Sequence, residues 1–107
     1  MVRKTIINTI RQFERALIAR GVRVKKVIVY GSQASGRYRK DSDIDVAVVS
    51  PDFGKNRTKE GINLFRIASL VDSRIEPVPV SEKSFYADTW VPLIYEIRSK
   101  GIEIAFQ

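Results

Sequence analysis

The chain has 107 residues, a formal net charge of +7, and neither Cys nor His. This length is typical of one domain, so we predict a single domain over residues 1–107. Without Cys or His, the sequence excludes disulfides, thiolate catalysis, Cys/His zinc sites and serine–histidine triads. Any metal ion has to be held by oxygen ligands, which favours Mg²⁺, Mn²⁺ or Ca²⁺.

Charge and hydropathy indicate the surroundings of the protein. A net charge of +7 attracts polyanions, from nucleoside triphosphates to nucleic acid or an acidic partner protein, and it also serves solubility. No apolar run approaches the roughly 18–20 residues that span a bilayer, and the N-terminus lacks the features of a signal peptide. We therefore expect a cytoplasmic protein without membrane contact.

The first predicted elements are a helix and a buried strand. Apolar residues over 5–20 recur at spacings of three, four and seven, which predicts an amphipathic helix. Residues 22–30 are rich in β-branched side chains and predict a strand covered on both faces. Gly31 ends this strand, and Ser32 is expected to cap a short helical turn that Gly36 stops.

The middle of the chain predicts a loop, a strand, a second loop and a helix. Residues 37–42 form a polar loop, and residues 44–49 form a second buried strand. Residues 52–60 form a basic loop, which we expect to be the most mobile segment. A helix is predicted over 62–71. Its inward residues are expected to be Ile62, Phe65, Ile67, Ala68, Leu70 and Val71.

The last third of the chain predicts an edge strand, a further helix and a final strand. In the strand over 75–80, Pro77 and Pro79 are two residues apart, so both missing N–H groups lie on one side and favour the sheet edge. A helix over 92–100 and a strand over 102–106 follow. The order α-β-α-β-α-β-α-β predicts an α/β (α+β) fold, with helices packed on a small mixed β-sheet.

Two acidic residues mark the start of the second strand. Asp43 and Asp45 are two apart, so both side chains should point to one face, with Ile44 and Val46 turned to the other. Carboxylates held side by side repel unless cations lie between them, and a pair of Mg²⁺ ions would resolve the repulsion. An isolated motif of this kind is more often a turn followed by a strand.

A Gly-Ser pair follows the first strand. Gly31 allows the backbone to approach a ligand closely, and the amides that follow begin a helical turn, which favours an anion. Ser32 adds a hydroxyl donor. Alone, this pair is a common turn and does not identify a site.

The two motifs stand together in this sequence. Residues 30–32 read Tyr-Gly-Ser, and after ten intervening residues 43–46 read Asp-Ile-Asp-Val. Their order and spacing closely resemble the signature of the DNA polymerase beta-like nucleotidyltransferase superfamily. The segment GSQASGRYRKDSDIDVAVV is most similar to the minimal nucleotidyltransferases of bacteria and archaea, which are short single-domain proteins often encoded beside a helical partner.

This resemblance implies a nucleotidyltransferase fold and a site with three carboxylates. Asp43 and Asp45 match the family's metal-binding pair, and Glu76 matches its third carboxylate. These three are expected to be catalytic and to bind two Mg²⁺ or Mn²⁺ ions, with ATP or another nucleoside triphosphate as substrate. Many members carry Asp at this third position and an aliphatic residue in place of Pro77. An alternative is therefore that Glu76 is only an exposed residue of an edge strand.

The resemblance also implies where the phosphates bind. Gly31 and Ser32 match the family's nucleotide-binding motif. Many relatives carry Arg where this chain has Ser35, so the phosphate contact is expected to pass to Arg37 or Arg39. The alternative is that both arginines are solvated loop charges.

The implied activity is transfer of a nucleoside monophosphate, AMP from ATP, to a hydroxyl of an acceptor. The resemblance points to a toxin–antitoxin pair, in which the nucleotidyltransferase is the antitoxin. It would bind a helical ribonuclease-like toxin encoded nearby and adenylylate one of its tyrosines. A chain of 107 residues leaves little room for a domain that positions an acceptor, which also favours an outside partner.

Two other functions fit the sequence. A catalytically weak or inactive antitoxin or scaffold would act by binding alone, with Phe85, Tyr86 and Trp90 as a contact surface, although core packing is the expected role of Trp90. A nucleic-acid-binding module explains the charge of +7. It does not explain the two Asp residues, which repel phosphates in the absence of metal.

Overall fold

The computed structural model describes residues 2–105, and over this range it contains five helices and four strands. In chain order these are α1 (Lys4–Ala19), β1 (Lys26–Tyr30), α2 (Ser32–Ser35), β2 (Ile44–Ser50), α3 (Arg57–Ser69), β3 (Ile75–Ser81), α4 (Glu82–Ala87), α5 (Pro92–Lys100) and β4 (Ile102–Glu103). The predicted fold class is confirmed, with two helices instead of one between β3 and β4. The strands predicted over 22–30 and 102–106 are both shorter than expected, because β1 begins at Lys26 and β4 ends at Glu103, and position 106 lies outside the described residues.

The four strands form one mixed sheet in the order β3-β2-β1-β4. β1 pairs antiparallel with both β2 and β4, whereas β2 and β3 are parallel. Parallel neighbours need a crossover connection, and α3 provides it. The predicted edge position of β3 is confirmed, because this strand has a neighbour on one side only.

Apolar side chains cover both faces of the sheet. One cluster joins the first face of β1, β2 and β3 to α1 and α3, and α1 contributes Ile6, Ile10, Phe13 and Leu17 to it. The other cluster joins the second face to α4 and α5. Because side chains alternate along a strand, Asp45 shares the second face with Ala47 and Val49. None of the helices described over 2–105 is long and apolar enough to cross a membrane.

The predicted inward face of α3 is partly wrong. Leu64, Ile67 and Ala68 are the buried residues of this helix. Ile62, Phe65 and Leu70 are 55%, 53% and 71% exposed. Apolar residues occur around the whole circumference of the helix, so their periodicity could not identify the buried side.

The basic segment 52–60 is also more structured than predicted, because α3 begins at Arg57. The Asn56 side chain accepts a hydrogen bond from the Lys59 amide at 3.1 Å and so caps the helix. The Glu60 carboxylate accepts hydrogen bonds from three consecutive amides, those of Gly54, Lys55 and Asn56, at 2.9, 3.1 and 3.1 Å. These contacts fold the second half of the segment back onto the helix.

Trp90 lies in the turn between α4 and α5 and is 79% exposed. The expectation that it packs in the core is therefore wrong. Phe85, on α4, takes the buried aromatic position and is 6% exposed. Ser81 caps α4 by accepting a hydrogen bond from the Ser84 amide at 3.1 Å.

One carboxylate of α1 is buried without full compensation. Glu14 is 6% exposed, and its Oε2 atom has no hydrogen-bond partner among the described residues. Burial raises the pKa of Glu14, and the positive charges of Arg11 and Arg15 oppose this rise.

The raised pKa of Glu14 predicts a pH-dependent stability. The folded state holds the proton of Glu14 more tightly than the unfolded chain does. The protonated side chain therefore makes its full contribution to the free energy of unfolding at pH values below the unfolded pKa. This contribution is lost as pH rises through the folded pKa. We expect Glu14→Gln, which cannot ionise, to exceed the parent in stability by about 1 kcal/mol near pH 7 and to match it near pH 4. Urea unfolding at both pH values measures this, and an equal difference at both would contradict it.

Candidate active site

Three polar side chains form a row across one end of the sheet, where β1 ends and β2 and β3 begin. Tyr30 of β1 is paired with Asp45 of β2, and Asp45 is paired in turn with Glu76 of β3. Paired residues of adjacent strands project on the same face, and neighbouring strands lie about 4.8 Å apart. The sheet therefore brings Glu76 beside Asp45, although 31 positions of sequence separate them.

Asp43 lies just before β2 and is exposed. Its backbone carbonyl accepts a long hydrogen bond, 3.5 Å, from Nε2 of Gln33. The residue between the two aspartates, Ile44, is fully buried in the apolar cluster under α1 and α3. Burial of Ile44 fixes the strand entrance and leaves the flanking aspartates towards solvent, as the alternation predicts.

Negative charge is concentrated at this row. Burial, and then the charges of Asp43, Glu76 and Glu96, raise the pKa of the Asp45 carboxyl. Burial, and then Asp45, Glu96 and Glu76, raise the pKa of Tyr30 to about 12. Tyr30 is therefore neutral at physiological pH, and the row carries acidic charge that favours a bound cation.

Glu96 is a fourth acidic residue at the site and was not predicted from the sequence. It lies half-buried on α5, next to Ile97, which packs on the sheet. No motif in the sequence distinguishes it from Glu82 or Glu103, because its position depends on how α5 crosses the sheet.

Gly31 lies directly against Asp45. Its backbone has φ 69° and ψ −146°, and a Cβ atom at this position would overlap Oδ2 of Asp45. The close backbone approach predicted for Gly31 is therefore made to a carboxylate of the same chain. Gly31, not Ser32, is the N-cap residue of α2, and Ser32 is its first residue, which corrects the predicted capping role. Gly36 ends α2 in the left-handed conformation as predicted.

Arg37 and Arg39 lie exposed on the loop that joins α2 to β2. Within this loop, the Arg39 amide donates to Oγ of Ser42 at 2.6 Å. The backbone carbonyl of Lys40 accepts a hydrogen bond from Nη1 of Arg74 at 3.3 Å. Arg74 directly precedes β3, so the loop is attached to the strand that carries Glu76.

The acidic residues are suited to bind a metal ion whose remaining ligands come from a bound substrate. Asp43, Asp45 and Glu76 offer only oxygen donors, which Mg²⁺ and Mn²⁺ prefer. Over residues 2–105, no group of three or more acidic side chains is arranged so that it could hold a metal ion by itself. Mg²⁺ is commonly bound by one or two carboxylates together with substrate phosphates, and this donor set fits that mode.

Comparison with known proteins agrees with this geometry. Residues 10–103 match the family model described as nucleotidyltransferase domain. The chain belongs to this family. A comparison with curated protein sequences finds no match.

Three solved structures share the fold of this nucleotidyltransferase. A toxin–antitoxin with AMP-PNP is 24% identical, with a TM-score of 0.65 over 94% of this chain and 73% of the other. A mutant of the toxin–antitoxin MntA–HpeT is 21% identical, with a TM-score of 0.62 over 90% and 72%. A candidate nucleotidyltransferase from Sulfolobus solfataricus is 13% identical, with a TM-score of 0.65 over 91% and 77%. At these identities the likeness shows a common fold.

The close contact at Gly31 predicts that its replacement is costly. In Gly31→Ala, the positive φ and the overlap of the new Cβ atom with Asp45 both destabilise the folded state. In Gly21→Ala only the positive φ of 85° acts, because nothing lies within 4 Å of the added Cβ atom. We expect the control to lose about 1 kcal/mol of stability and Gly31→Ala to lose roughly 1–3 kcal/mol more, measured by urea unfolding. Equal losses would show that Gly31 does not need its close approach to Asp45.

Proposed function

We propose that this nucleotidyltransferase transfers a nucleoside monophosphate, AMP from ATP, to a hydroxyl of a partner toxin protein. One observation carries the proposal. Asp45 lies beside Glu76, and Gly31 lies against Asp45, within the range 10–103 that matches the nucleotidyltransferase family. The resulting acidic row suits a metal-bound triphosphate.

The three carboxylates predicted for the site each have a proposed role in this reaction. Asp43, Asp45 and Glu76 would hold two Mg²⁺ or Mn²⁺ ions. Such ions neutralise phosphate charge and lower the pKa of a bound hydroxyl. Glu76 is exposed at the start of the edge strand, where an acceptor can reach it. It takes the proton of the acceptor hydroxyl as that oxygen attacks the α-phosphorus.

The transfer forms one phosphorus–oxygen bond and breaks another. The acceptor oxygen bonds to the α-phosphorus, and the bond from the α-phosphorus to the bridging oxygen of the β-phosphate breaks, releasing pyrophosphate. Ser32 and the exposed Arg37 and Arg39 are the proposed contacts of the phosphates, because guanidinium groups bind phosphate oxygens strongly. The product is an acceptor that carries the nucleotide as a phosphodiester.

The proposed acceptor is a protein, for which the structural neighbours supply the support. Two of them are described as toxin–antitoxin proteins, and one of these contains AMP-PNP, an ATP analogue. The proposed partner is a helical toxin encoded nearby, for which the chain would act as the antitoxin in the cytoplasm. The net charge of +7 favours an acidic partner surface.

A second candidate function is neutralisation of the partner by binding alone. Three aromatic residues of α4, α5 and the turn between them are strongly exposed: Tyr86 by 56%, Trp90 by 79% and Tyr95 by 63%. Tyr and Trp contribute large contact areas and are enriched among the residues that dominate interface energetics. These three residues, the aromatic surface, are the proposed contact with the partner.

Loss of the two aspartates tests the catalytic proposal. We expect the parent to bind ATP with Mg²⁺ or Mn²⁺, and the double change Asp43→Asn with Asp45→Asn to weaken this binding roughly 100-fold or more, because the carboxylates hold the metal. Calorimetry measures the affinity, and transfer of labelled AMP to the product of the neighbouring gene should be lost with it. Asp52→Asn is the matched control, since Asp52 pairs with Arg23 beyond the far end of β2.

Three outcomes separate the candidate functions. Absence of metal-dependent ATP affinity in the parent would reject the catalytic proposal. Partner binding that persists in that case would support neutralisation by binding. Steeply salt-dependent binding of DNA or RNA that survives the double change would instead favour a nucleic-acid-binding module.

The aromatic surface generates a separate prediction. We expect Trp90→Ala to weaken binding of the neighbouring gene product by about 2 kcal/mol, because an exposed Trp at an interface typically contributes this much. Leu70→Ala, a change at a 71% exposed residue just after α3, serves as control and should leave the affinity unchanged. ATP affinity should be unaffected in both variants. Equal partner affinity for Trp90→Ala and the parent would exclude this surface.

A further inference from the structure

Arg3, the residue before α1, contacts the loop that carries Arg37 and Arg39. The central carbon of its guanidinium lies 3.8 Å from the centroid of the Tyr38 ring. At this distance a guanidinium stacks on an aromatic ring with favourable cation–π attraction. A residue near the N-terminus thus contacts the middle of the loop between α2 and β2.

The same guanidinium is linked to Asp43 through Gln33. Nη2 of Arg3 donates to Oε1 of Gln33 at 3.2 Å, and Nε2 of Gln33 donates to the carbonyl oxygen of Asp43 at 3.5 Å. Gln33 is 1% exposed, so solvent does not compete for these hydrogen bonds. Arg3 therefore contacts this loop at Tyr38, and Gln33 contacts its end at Asp43. We call Arg3, Gln33 and Tyr38 the Arg3 cluster.

Stacking on Tyr38 leaves one donor of Arg3 unpaired. Its Nε atom is buried and has no hydrogen-bond partner among residues 2–105. A buried unpaired N–H is destabilising. A lysine would avoid it, but an ammonium group cannot lie flat on the ring while donating to Gln33. Only a planar guanidinium can stack on Tyr38 and donate to Gln33 at the same time. The use of Arg at this position indicates that both contacts are needed.

We propose that Arg3 and Gln33 are positioning residues that hold the loop 37–42 in one arrangement relative to Asp43, and that Mg²⁺-ATP binding depends on it. Arg74 holds the other side of this loop at Lys40. Arg39 lies between the attachments at Tyr38 and Lys40, and Arg37 directly precedes Tyr38, so these exposed side chains can occupy only a limited set of positions. The dependence of nucleotide binding rests on the proposed function, whereas the restraint of the loop does not.

Two variants and two controls test the Arg3 cluster. Arg3→Lys keeps the charge and the alkyl chain but loses the planar group, and Tyr38→Ala loses the ring. Tyr38→Phe keeps the ring and should behave as the parent. Arg23→Ala removes an exposed ion pair with Asp52 beyond the opposite end of β2, and should affect neither the loop nor the nucleotide.

Two measurements apply to each variant. Amide hydrogen exchange at Arg39 and Ser42 reports on the turn within the loop, because these amides donate to Ser42 Oγ and the Arg39 carbonyl. Calorimetry gives the affinity for ATP with and without Mg²⁺. We expect Arg3→Lys and Tyr38→Ala to accelerate exchange about 3- to 10-fold and to weaken Mg²⁺-ATP binding by a similar factor.

The outcomes distinguish this proposal from the proposed function. Unchanged exchange in Arg3→Lys and Tyr38→Ala, or the same acceleration in Arg23→Ala, would overturn the restraint. Faster exchange with unchanged Mg²⁺-ATP affinity would overturn the positioning role. A parent without Mg²⁺-ATP affinity would reject both the catalytic function and that role, and exchange alone would then decide whether the Arg3 cluster restrains the loop.

Discussion

The parallel register of β2 and β3 is the constraint on which the candidate site depends. It places Asp45 beside Glu76, so that two carboxylates project from one face of the sheet. A shift of one residue would turn Glu76 to the opposite face, into the apolar layer under α1 and α3. Burial of Ile75 on that face and of Val80 on the other prevents such a shift.

The packing of the sheet opposes the electrostatics of the site. The charges of Asp43, Glu76 and Glu96 repel the carboxylate of Asp45, and the backbone of Gly31 lies directly against it. The two apolar clusters hold β1, β2 and α5 in place and so keep these charges close. A folded state that stores repulsion in this way gains most from a ligand that removes it, which is what a cation bound with a triphosphate would do.

The sequence predicts the parts of the candidate site that depend on local spacing. Gly31, Asp43 and Asp45 belong to a short motif, and Glu76 was expected from the resemblance to the family, and the sheet places it beside Asp45. The contact of Arg3 with Tyr38 joins distant segments, and no pattern in the chain indicates it. The buried side of α3 could not be predicted, because the apolar residues surround the helix, and Trp90 gave no sign that it lies in an outward turn.

The prolines of β3 have a consequence for how molecules of this protein meet each other. The open edge of a sheet normally offers a row of amide donors on which another strand can assemble, in aggregation as in recognition. At Pro77 and Pro79 those donors are missing. The edge next to Glu76 can therefore stay uncovered without recruiting a further strand from another polypeptide or from a second copy of the chain. A protein acceptor of the kind proposed above would reach Glu76 without adding a strand to this edge.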